Sequence, residues 1–225
     1  MTRTQIDPSL KARRAILDAM LKHVPFDGWS SLSLKQAVKD AGLPSGADEL
    51  YFSGGPLEVI TFWNTQNDGY MMAEMAKLDQ SKMRIRDKIT RAILFRLKII
   101  SPHEEAAKRA IARTALPDGL ALSPKILWAS ADAMWRAIGD TSTDFNYYTK
   151  RTSLSAVIST SLLAWLSDDD SKKVKALAFI DARIENVMQF EGAKFKFKKR
   201  IATLPDPAEI LGKIRYGTRR SKRRG

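Results

Sequence analysis

Apolar side chains recur along this chain at intervals of three and four residues, the spacing that places them on one face of an α-helix. Ile85, Ile89 and Ile93 give the clearest example of this pattern. Pro25 and Gly28 are predicted to end the first helix, because neither residue continues a helix well. The helices predicted for the first half cover residues 8–24, 33–41, 48–52, 57–78 and 85–100.

Ser101-Pro102-His103-Glu104 has the composition of a helix start. Serine can cap the helix, proline suits the first helical position, and Glu104 can complete a capping box. Pro117-Asp118-Gly119 is predicted to end that helix. Asp168-Asp169-Asp170 is expected to form a loop that can cap the helix after it.

The second half carries three further apolar stripes, at Leu127–Ile138, within Phe145–Leu166, and at Leu177–Met188. No segment shows sustained alternation of apolar and polar residues bounded by turns, the pattern of a half-buried strand. The sequence therefore predicts an all-α fold of about nine or ten helices. We expect an N-terminal part over residues 1–56, a helical bundle over 57–191 and a tail over 192–225.

The composition excludes several classes of protein. The chain has 225 residues, of which 44% are hydrophobic, and this is enough to build a substantial core. Its longest apolar stretch, Leu154–Leu166, is too short and too rich in serine to span a bilayer. The absence of cysteine excludes disulfides, thiolate metal sites and cysteine nucleophiles. The first residues resemble no targeting leader. We therefore expect a bacterial cytoplasmic protein or a mature mitochondrial matrix protein.

The net charge of +13 is concentrated in the tail, since residues 192–225 hold 12 Lys/Arg against 2 Asp/Glu. A basic tail can bind an anionic membrane surface or a nucleic acid, and it can also be a solvated end. Residues 207–216 form a possible short amphipathic helix. The residues expected to contact a membrane are Lys194, Phe195, Lys196, Phe197, Lys198, Lys199, Arg200, Arg219 and Arg220.

The first three predicted helices have the outline of a helix-turn-helix. Ala41-Gly42-Leu43-Pro44-Ser45-Gly46, with Leu50-Tyr51-Phe52 after it, is similar to the DNA-binding start of TetR-type repressors. The positions that contact DNA in such repressors hold Ala47, Asp48 and Glu49 here. Carboxylates are repelled by phosphate, so DNA binding is disfavoured.

No catalytic set is recognisable in the sequence. The only histidines, His23 and His103, lack a second ligand at metal-binding spacing. Gly54-Gly55 lacks the lysine and hydroxyl residue of a phosphate-binding loop. We expect no enzymatic activity, no metal and no cofactor.

Residues 135–151 resemble the coenzyme Q biosynthesis accessory family. The matching residues are Trp135-Arg136, Gly139-Asp140, Ser142-Thr143-Asp144-Phe145-Asn146, Tyr148-Thr149 and Lys150-Arg151. This resemblance implies a TetR-like fold, a homodimer and a pocket for an isoprenoid quinone precursor or another lipid. It also implies a non-enzymatic role in support of the di-iron hydroxylase of ubiquinone synthesis, at the surface of a membrane.

The resemblance also assigns residues to these roles. The surface for the hydroxylase would include Met134, Trp135, Asp144, Tyr147 and Tyr148. Tyr147 departs mildly from relatives that carry tryptophan, and the tail is more basic and less apolar than theirs. The expected lipid-binding residues are Leu127, Trp128, Ala131, Phe145, Tyr148, Ile158, Leu162, Ile180 and Ile184.

Simpler interpretations compete with these assignments. The apolar stripes are first of all a core, and adjacent tyrosines can be ordinary boundary residues. A TetR-type regulator with an apolar effector pocket is the second functional hypothesis, and an unknown enzyme is the third. If a lipid is bound, it cannot be released into water, because each exposed methylene costs about 0.8 kcal/mol. Binding and release would then take place at a membrane.

Overall fold

The computed structural model describes the backbone of residues 7–143 and 145–202, and side chains up to Gln189 except those of Asp144, Phe145 and Met188. Within these residues the chain is helical and contains no strand. The helices are α1 Pro8–Asp27, α2 Ser31–Asp40, α3 Ala47–Tyr51, α4 Gly55–Ala76, α5 Ile85–Ile100, α6 Glu104–Thr114, α7 Leu122–Ala137, α8 Phe145–Ser167 and α9 Val174–Ala202, with a 3-10 turn at Ser101–His103. The predicted all-α class is confirmed.

The chain divides into two compact units, residues 1–184 and residues 185–225. The first unit contains helices α1 to α8 and the first part of α9. In the second unit, the backbone of α9 stays helical as far as Ala202. No helix among the described residues is both long and apolar enough to cross a membrane.

Helix α4 is the centre of the first unit, since it packs against both α5 and α7. Its apolar side chains are buried on several faces, as expected for a helix surrounded by others. Helices α7 and α8 also pack against each other. The buried apolar residues of α4 are Val59, Ile60, Phe62, Trp63, Met71 and Met75.

The three N-terminal helices are fixed to the bundle by specific contacts. The indole Nε1 of Trp29 donates to the carbonyl of Ala106 in α6 at 2.9 Å. The guanidinium of Arg13 lies 4.6 Å from the ring centres of both Phe52 and Phe62 and binds Glu58. Such cation–π contacts are worth about 0.5–2 kcal/mol each. The helix-turn-helix part is thus held rigidly on the bundle.

Two predicted helix boundaries were wrong. Pro25 lies inside α1, which ends only before Gly28. In the last turn a proline removes a single backbone donor, and the Gly28 amide still closes the helix on Val24. Ser101 does not cap α6, because α6 begins at Glu104. The Ser101 hydroxyl instead accepts from Trp165 and donates to the Leu97 carbonyl.

The predicted capping role of the aspartate loop before α9 is confirmed. The Asp168 carboxylate accepts from the backbone amides of Asp170 and Ala176. Lys173 adopts a φ of 52°, which is costly for a residue with a side chain. Its ammonium binds Glu104 and the carbonyls of Trp165 and Asp168, and these bonds hold the strained turn.

Gly119, in the turn between α6 and α7, provides a test of this packing. A Cβ at Gly119 would lie 2.8 Å from the Cα of Thr114, so Gly119→Ala should destabilise the protein by about 1–3 kcal/mol. At Gly69 a Cβ meets no atom within 4 Å, and Gly69→Ala should stabilise α4 by about 1 kcal/mol. Thermal unfolding of both variants checks the prediction, and equal shifts would contradict it.

Candidate functional site

The turn between α7 and α8 reverses the chain with a well-formed helix end. Gly139 has a φ of 81°, a left-handed value that favours glycine. The Gly139 amide donates to the Arg136 carbonyl, and the Asp140 amide donates to the Trp135 carbonyl at 3.0 Å. This pair of bonds is a Schellman motif, and it satisfies the last carbonyls of α7. The motif places the Asp140 side chain opposite the first turns of α8.

A buried arginine joins the two helices. Arg151, which is 2% exposed, donates from Nε to the Asp132 carboxylate at 2.7 Å. Its Nη1 donates to the Tyr147 carbonyl and reaches Asp140 at 3.4 Å. The guanidinium also lies 3.5 Å from the centre of the Tyr147 ring. Arg151 of α8 thus binds Asp132 on α7, Asp140 in the turn between the two helices, and the carbonyl of Tyr147 one turn earlier in α8.

Asp140 receives further donors from the start of α8. Lys150 Nζ lies 2.6 Å from one carboxylate oxygen, and the Ser142 hydroxyl donates to the same oxygen at 2.8 Å. Burial opposes ionisation of Asp140, but the hydrogen bonds from Lys150, Ser142 and Arg151 outweigh it and hold the pKa of this carboxyl below its ordinary value. Asp140 is therefore an anion held by three donors, and its side chain is 7% exposed.

Three aromatic residues, Trp128, Tyr147 and Tyr148, lie over this network, and we call them the aromatic cluster. The rings of Tyr147 and Tyr148 meet edge to face at 5.2 Å, and Trp128 lies 6.1–6.3 Å from both. The Tyr147 hydroxyl donates to Asp132. Tyr148 is 59% exposed. A rigid, exposed aromatic side chain with a polar end is a typical anchor of a protein interface.

Two of the predicted surface residues occupy other positions. Met134 and Trp135 are buried, so neither can contact a partner directly in this conformation. The Trp135 indole donates to the Lys150 carbonyl, and the Lys150 ammonium lies 5.0 Å from the centre of its ring. Both residues face the bundle because their side of α7 packs against its neighbours. Asp144, which is also predicted for this surface, lies outside the described residues.

An apolar cavity of about 150 Å³ lies in the bundle, lined by side chains of helices α4 to α8. Ile111 of α6 and Leu163 of α8 line it and are 37% and 48% exposed, so the cavity opens to solvent beside them. Of the predicted lipid-binding residues, Leu127 and Leu162 line this cavity. The cavity is therefore formed in part by the helices that carry the aromatic cluster.

The other predicted lipid-binding residues do not line the cavity. Trp128 and Tyr148 belong to the aromatic cluster, on the surface. The side chain of Phe145 lies outside the described residues. An apolar stripe predicts which residues are buried, but it does not predict which of them line a cavity. For this reason the predicted lipid-binding residues and the observed cavity residues differ. The residues buried elsewhere are Ala131, Ile158, Ile180 and Ile184.

The sequence interpretation missed the polar wall of the cavity. Arg96 and Asn64 line it, and Arg96 is 3% exposed. Arg96 donates from Nε to Asp68 at 2.8 Å and from Nη2 to Asn64 at 2.6 Å. A signal was present, because Arg96 falls on the apolar face of α5, three residues after Ile93.

The helix-turn-helix has mixed charge on the face that would meet DNA. Ala47 is buried, and Asp48 and Glu49 share a surface depression with Lys35 and Lys39.

The residues predicted to contact a membrane lie outside the residues whose side chains the structure describes. They are Lys194 to Arg200, Arg219 and Arg220. The predicted amphipathic segment, residues 207–216, also lies outside the described residues. Among the described residues, no three His, Asp or Glu side chains gather to hold a metal ion.

Comparison with known proteins links this chain to one family. Residues 120–191, which contain α7, α8 and α9 as far as Glu191, match the family model described as COQ9. The chain is 31% identical over 179 residues to "Ubiquinone biosynthesis protein COQ9, mitochondrial" of Rattus norvegicus, which covers 77% of this chain and 57% of that protein. The human protein of the same name is also 31% identical, with 77% and 56% covered. The chain spans a little over half the length of these relatives.

A solved structure supports the fold. The TetR transcriptional regulator from Nitrosomonas europaea ATCC 19718 superposes with a TM-score of 0.64 at 14% identity, over 78% of this chain and 97% of that one. The predicted TetR-like fold is confirmed.

The ion-paired Asp140 carboxylate should make stability depend on pH. Its pKa is lower in the folded protein than in the unfolded chain, where it is about 3.9. The stabilisation is therefore complete above about pH 5 and is lost as the pH falls through the folded value. Asp140→Asn should reduce the free energy of unfolding by about 1–3 kcal/mol near pH 7, and the difference from wild type should shrink toward pH 3.

Urea unfolding at several pH values checks this prediction. The matched control is Asp48→Asn, the same substitution on α3. The Asp48 carboxylate forms no ion pair among the described residues, whereas Asp140 binds Lys150. The control should differ little from wild type at any pH. A constant difference between Asp140→Asn and wild type from pH 3 to pH 7 would contradict the assignment.

Proposed function

Because the chain is homologous to the COQ9 proteins over most of its length, we propose that it acts in ubiquinone biosynthesis as a non-enzymatic accessory protein. It binds an isoprenoid quinone precursor at a membrane surface. It then presents the head of this lipid to the di-iron hydroxylase that acts on it. The relatives are named as mitochondrial proteins, and this chain would work on the matrix side of the inner membrane or on the bacterial inner membrane.

One observation carries the proposal: the cavity and the aromatic cluster are built on the same two helices. Leu127 of α7 lines the cavity, and the next residue, Trp128, belongs to the aromatic cluster. Along α8, Tyr148 belongs to the cluster and Leu162 lines the cavity. These helices lie within the segment that matches the family model. A partner bound over the cluster would thus contact the helices that hold the ligand.

The size of the cavity limits what it can contain. An engineered cavity of about 150 Å³ in another protein holds benzene, so a cavity of this size takes one ring or one isoprene unit. Each methylene of a polyprenyl tail left in water costs about 0.8 kcal/mol. The tail therefore stays in the bilayer or in an apolar partner while the head enters the protein. This cost supports a membrane as the place where the lipid is exchanged.

Attachment to the membrane would come from the tail of the chain. The residues 192–225 carry a net charge of +10, with 12 Lys/Arg against 2 Asp/Glu, and each cation near an anionic surface contributes about 1 kcal/mol. Phe195 and Phe197 alternate with lysines and would enter the headgroup region. High salt should release a protein held in this way. A homodimer, as in the family, would present two such tails.

A TetR-type transcriptional regulator is the second candidate, and the likeness to a solved TetR regulator favours it. In that function the cavity would bind an effector. The positions expected to contact DNA carry Asp48 and Glu49, and α3 has only five residues. Since phosphate contacts supply much of the affinity for DNA, we rank this function second.

Native mass spectrometry of the purified protein tests the proposed function. An isoprenoid quinone, its precursor or another long-chain lipid that co-purifies near one molecule per chain would support it. A lipid-free protein that shifts one specific DNA fragment at physiological salt would overturn it in favour of the regulator.

Tyr148 separates the two parts of the proposed function. Tyr148→Ala removes the exposed ring of the aromatic cluster but changes no residue that lines the cavity. Hot-spot tyrosines contribute about 2 kcal/mol or more, so affinity for the hydroxylase should fall about 30-fold or more while lipid binding is unchanged. The matched control is Tyr70→Ala, because Tyr70 is 51% exposed on α4, outside the cluster. Equal affinity of both variants for the hydroxylase would contradict this assignment.

A further inference from the structure

The polar wall of the cavity contains one cation, Arg96, whose hydrogen bonds to the protein are incomplete. We propose that Arg96 binds a neutral oxygen acceptor of the ligand, a carbonyl or hydroxyl oxygen on a ring, and thereby selects a quinone or phenol head over a fatty acid. This inference rests on the proposed function and specifies the chemistry of its ligand.

The hydrogen bonds of Arg96 leave donors available on the cavity side. The guanidinium uses Nε for Asp68 at 2.8 Å and Nη2 for Asn64 at 2.6 Å. A guanidinium has five N–H donors in a fixed planar fork. Its Nη1 forms no hydrogen bond to any described residue, although the Arg96 side chain is only 4% exposed. A ligand oxygen in the cavity could accept a hydrogen bond from Nη1 of Arg96.

Asp68 has no corresponding capacity for a ligand. One of its oxygens accepts from Arg96, and the other accepts from the Ser130 hydroxyl at 2.7 Å. Asp68 is buried and does not line the cavity. The two residues of the pair thus differ. Both oxygens of Asp68 accept hydrogen bonds from the protein, whereas Arg96 lines the cavity. Core stability alone gives little reason for such a pair, since apolar residues of similar volume often serve equally well.

The charge of the pair determines which ligand is preferred. Arg96 and Asp68 together are neutral, and among the described residues no other charged side chain lines the cavity. A carboxylate bound to Arg96 would leave one net negative charge in an apolar surrounding, where an uncompensated charge is costly. A quinone or phenol oxygen accepts the same hydrogen bond without adding charge. The site should therefore bind a neutral head group more tightly than a fatty acid of equal length.

The dimensions of the cavity agree with a ring in this position. A volume of about 150 Å³ holds a six-membered ring. Asn64 and Arg96 lie on α4 and α5, and the exposed cavity residues Ile111 and Leu163 lie on α6 and α8. A ring held by Arg96 would extend its tail past Ile111 and Leu163 to the outside. Asn64, Thr114, Ser123 and Ser159 also line the cavity, but Arg96 is its charged donor, and hydrogen bonds from a charged group are the stronger ones.

Ligand titration with two probes tests the inference. The probes are a ubiquinone with a two-isoprene tail and palmitic acid, each followed by intrinsic tryptophan fluorescence. Wild type should prefer the quinone. In Arg96→Lys the planar fork is lost, and quinone affinity should fall about 10–100-fold, the value of a hydrogen bond to a charged group. In Asp68→Asn the pair gains a net positive charge, and the affinity for palmitic acid should rise while that for the quinone changes little.

A matched control makes the same arginine-to-lysine change away from the cavity. Arg91 also lies on α5 but is exposed and does not line the cavity, so Arg91→Lys should leave both affinities unchanged. Circular dichroism and thermal melting establish that each variant is folded. If Asp68→Asn does not fold, Arg96→Lys still carries the test. The infrared carbonyl band of the bound quinone is a direct readout, because it should shift to lower frequency in wild type and less in Arg96→Lys.

The outcomes separate this inference from the proposed function. If wild type binds neither probe, lipid binding itself is overturned. If wild type binds the quinone and Arg96→Lys binds it equally, with an unchanged carbonyl band, only the role of Arg96 is overturned. A wild-type preference for palmitic acid would also overturn the selection of a neutral head.

Discussion

The buried Arg151 guanidinium holds together the part of the molecule on which function depends. It contacts Asp132 on α7, Asp140 in the following turn and the ring and carbonyl of Tyr147 on α8. A charge that is 2% exposed is tolerated only when its partners are in place, since removal of one partner costs about 3–5 kcal/mol. The requirement to satisfy Arg151 thus fixes the relative positions of α7 and α8. The aromatic cluster and one wall of the cavity are consequences of that arrangement.

A second buried ion pair joins Arg96 to Asp68, and its arginine lines the cavity. Both pairs place an arginine between helices and surround its partner with further donors. They differ in what the arginine faces, because Arg151 lies beneath an exposed aromatic surface and Arg96 borders an empty volume. The rigidity of the first pair and the incomplete bonding of the second correspond to the two tasks proposed, contact with a partner and retention of a ligand.

The helices could be predicted from the sequence because apolar periodicity is a local property. Residues 85–100 match α5 as observed, and the boundaries of the other helices differ by only a few residues. Local rules failed where a tertiary contact took precedence. Ser101 bonds to Trp165, far away in sequence, instead of capping α6. Met134 was predicted on the surface, and its burial depends on which side of α7 packs against its neighbours.

The site itself was predictable only in part, because a cavity is defined by what is missing between helices. Leu127 and Leu162 were predicted to bind lipid and do line it, whereas Ile158, Ile180 and Ile184 have the same periodicity and fill the core. Apolar periodicity cannot distinguish a residue that lines a cavity from one that fills the core. A charged residue on an apolar face is a stronger signal, since its burial requires a partner, and Arg96 carried that signal in the sequence.

The fold contains a helix-turn-helix part with Asp48 and Glu49 at the positions predicted to contact DNA, where carboxylates would be repelled by phosphate. Its structural residues are intact, since Trp29 bonds to Ala106 and Arg13 stacks on Phe52 and Phe62. These contacts support α4, and α4 supplies Ile60, Trp63 and Asn64 to the cavity wall. The first three helices therefore have a structural role whether or not they bind DNA, because they contact the helix that supplies part of the cavity wall. Asp48 and Glu49 can face solvent at no cost to that role.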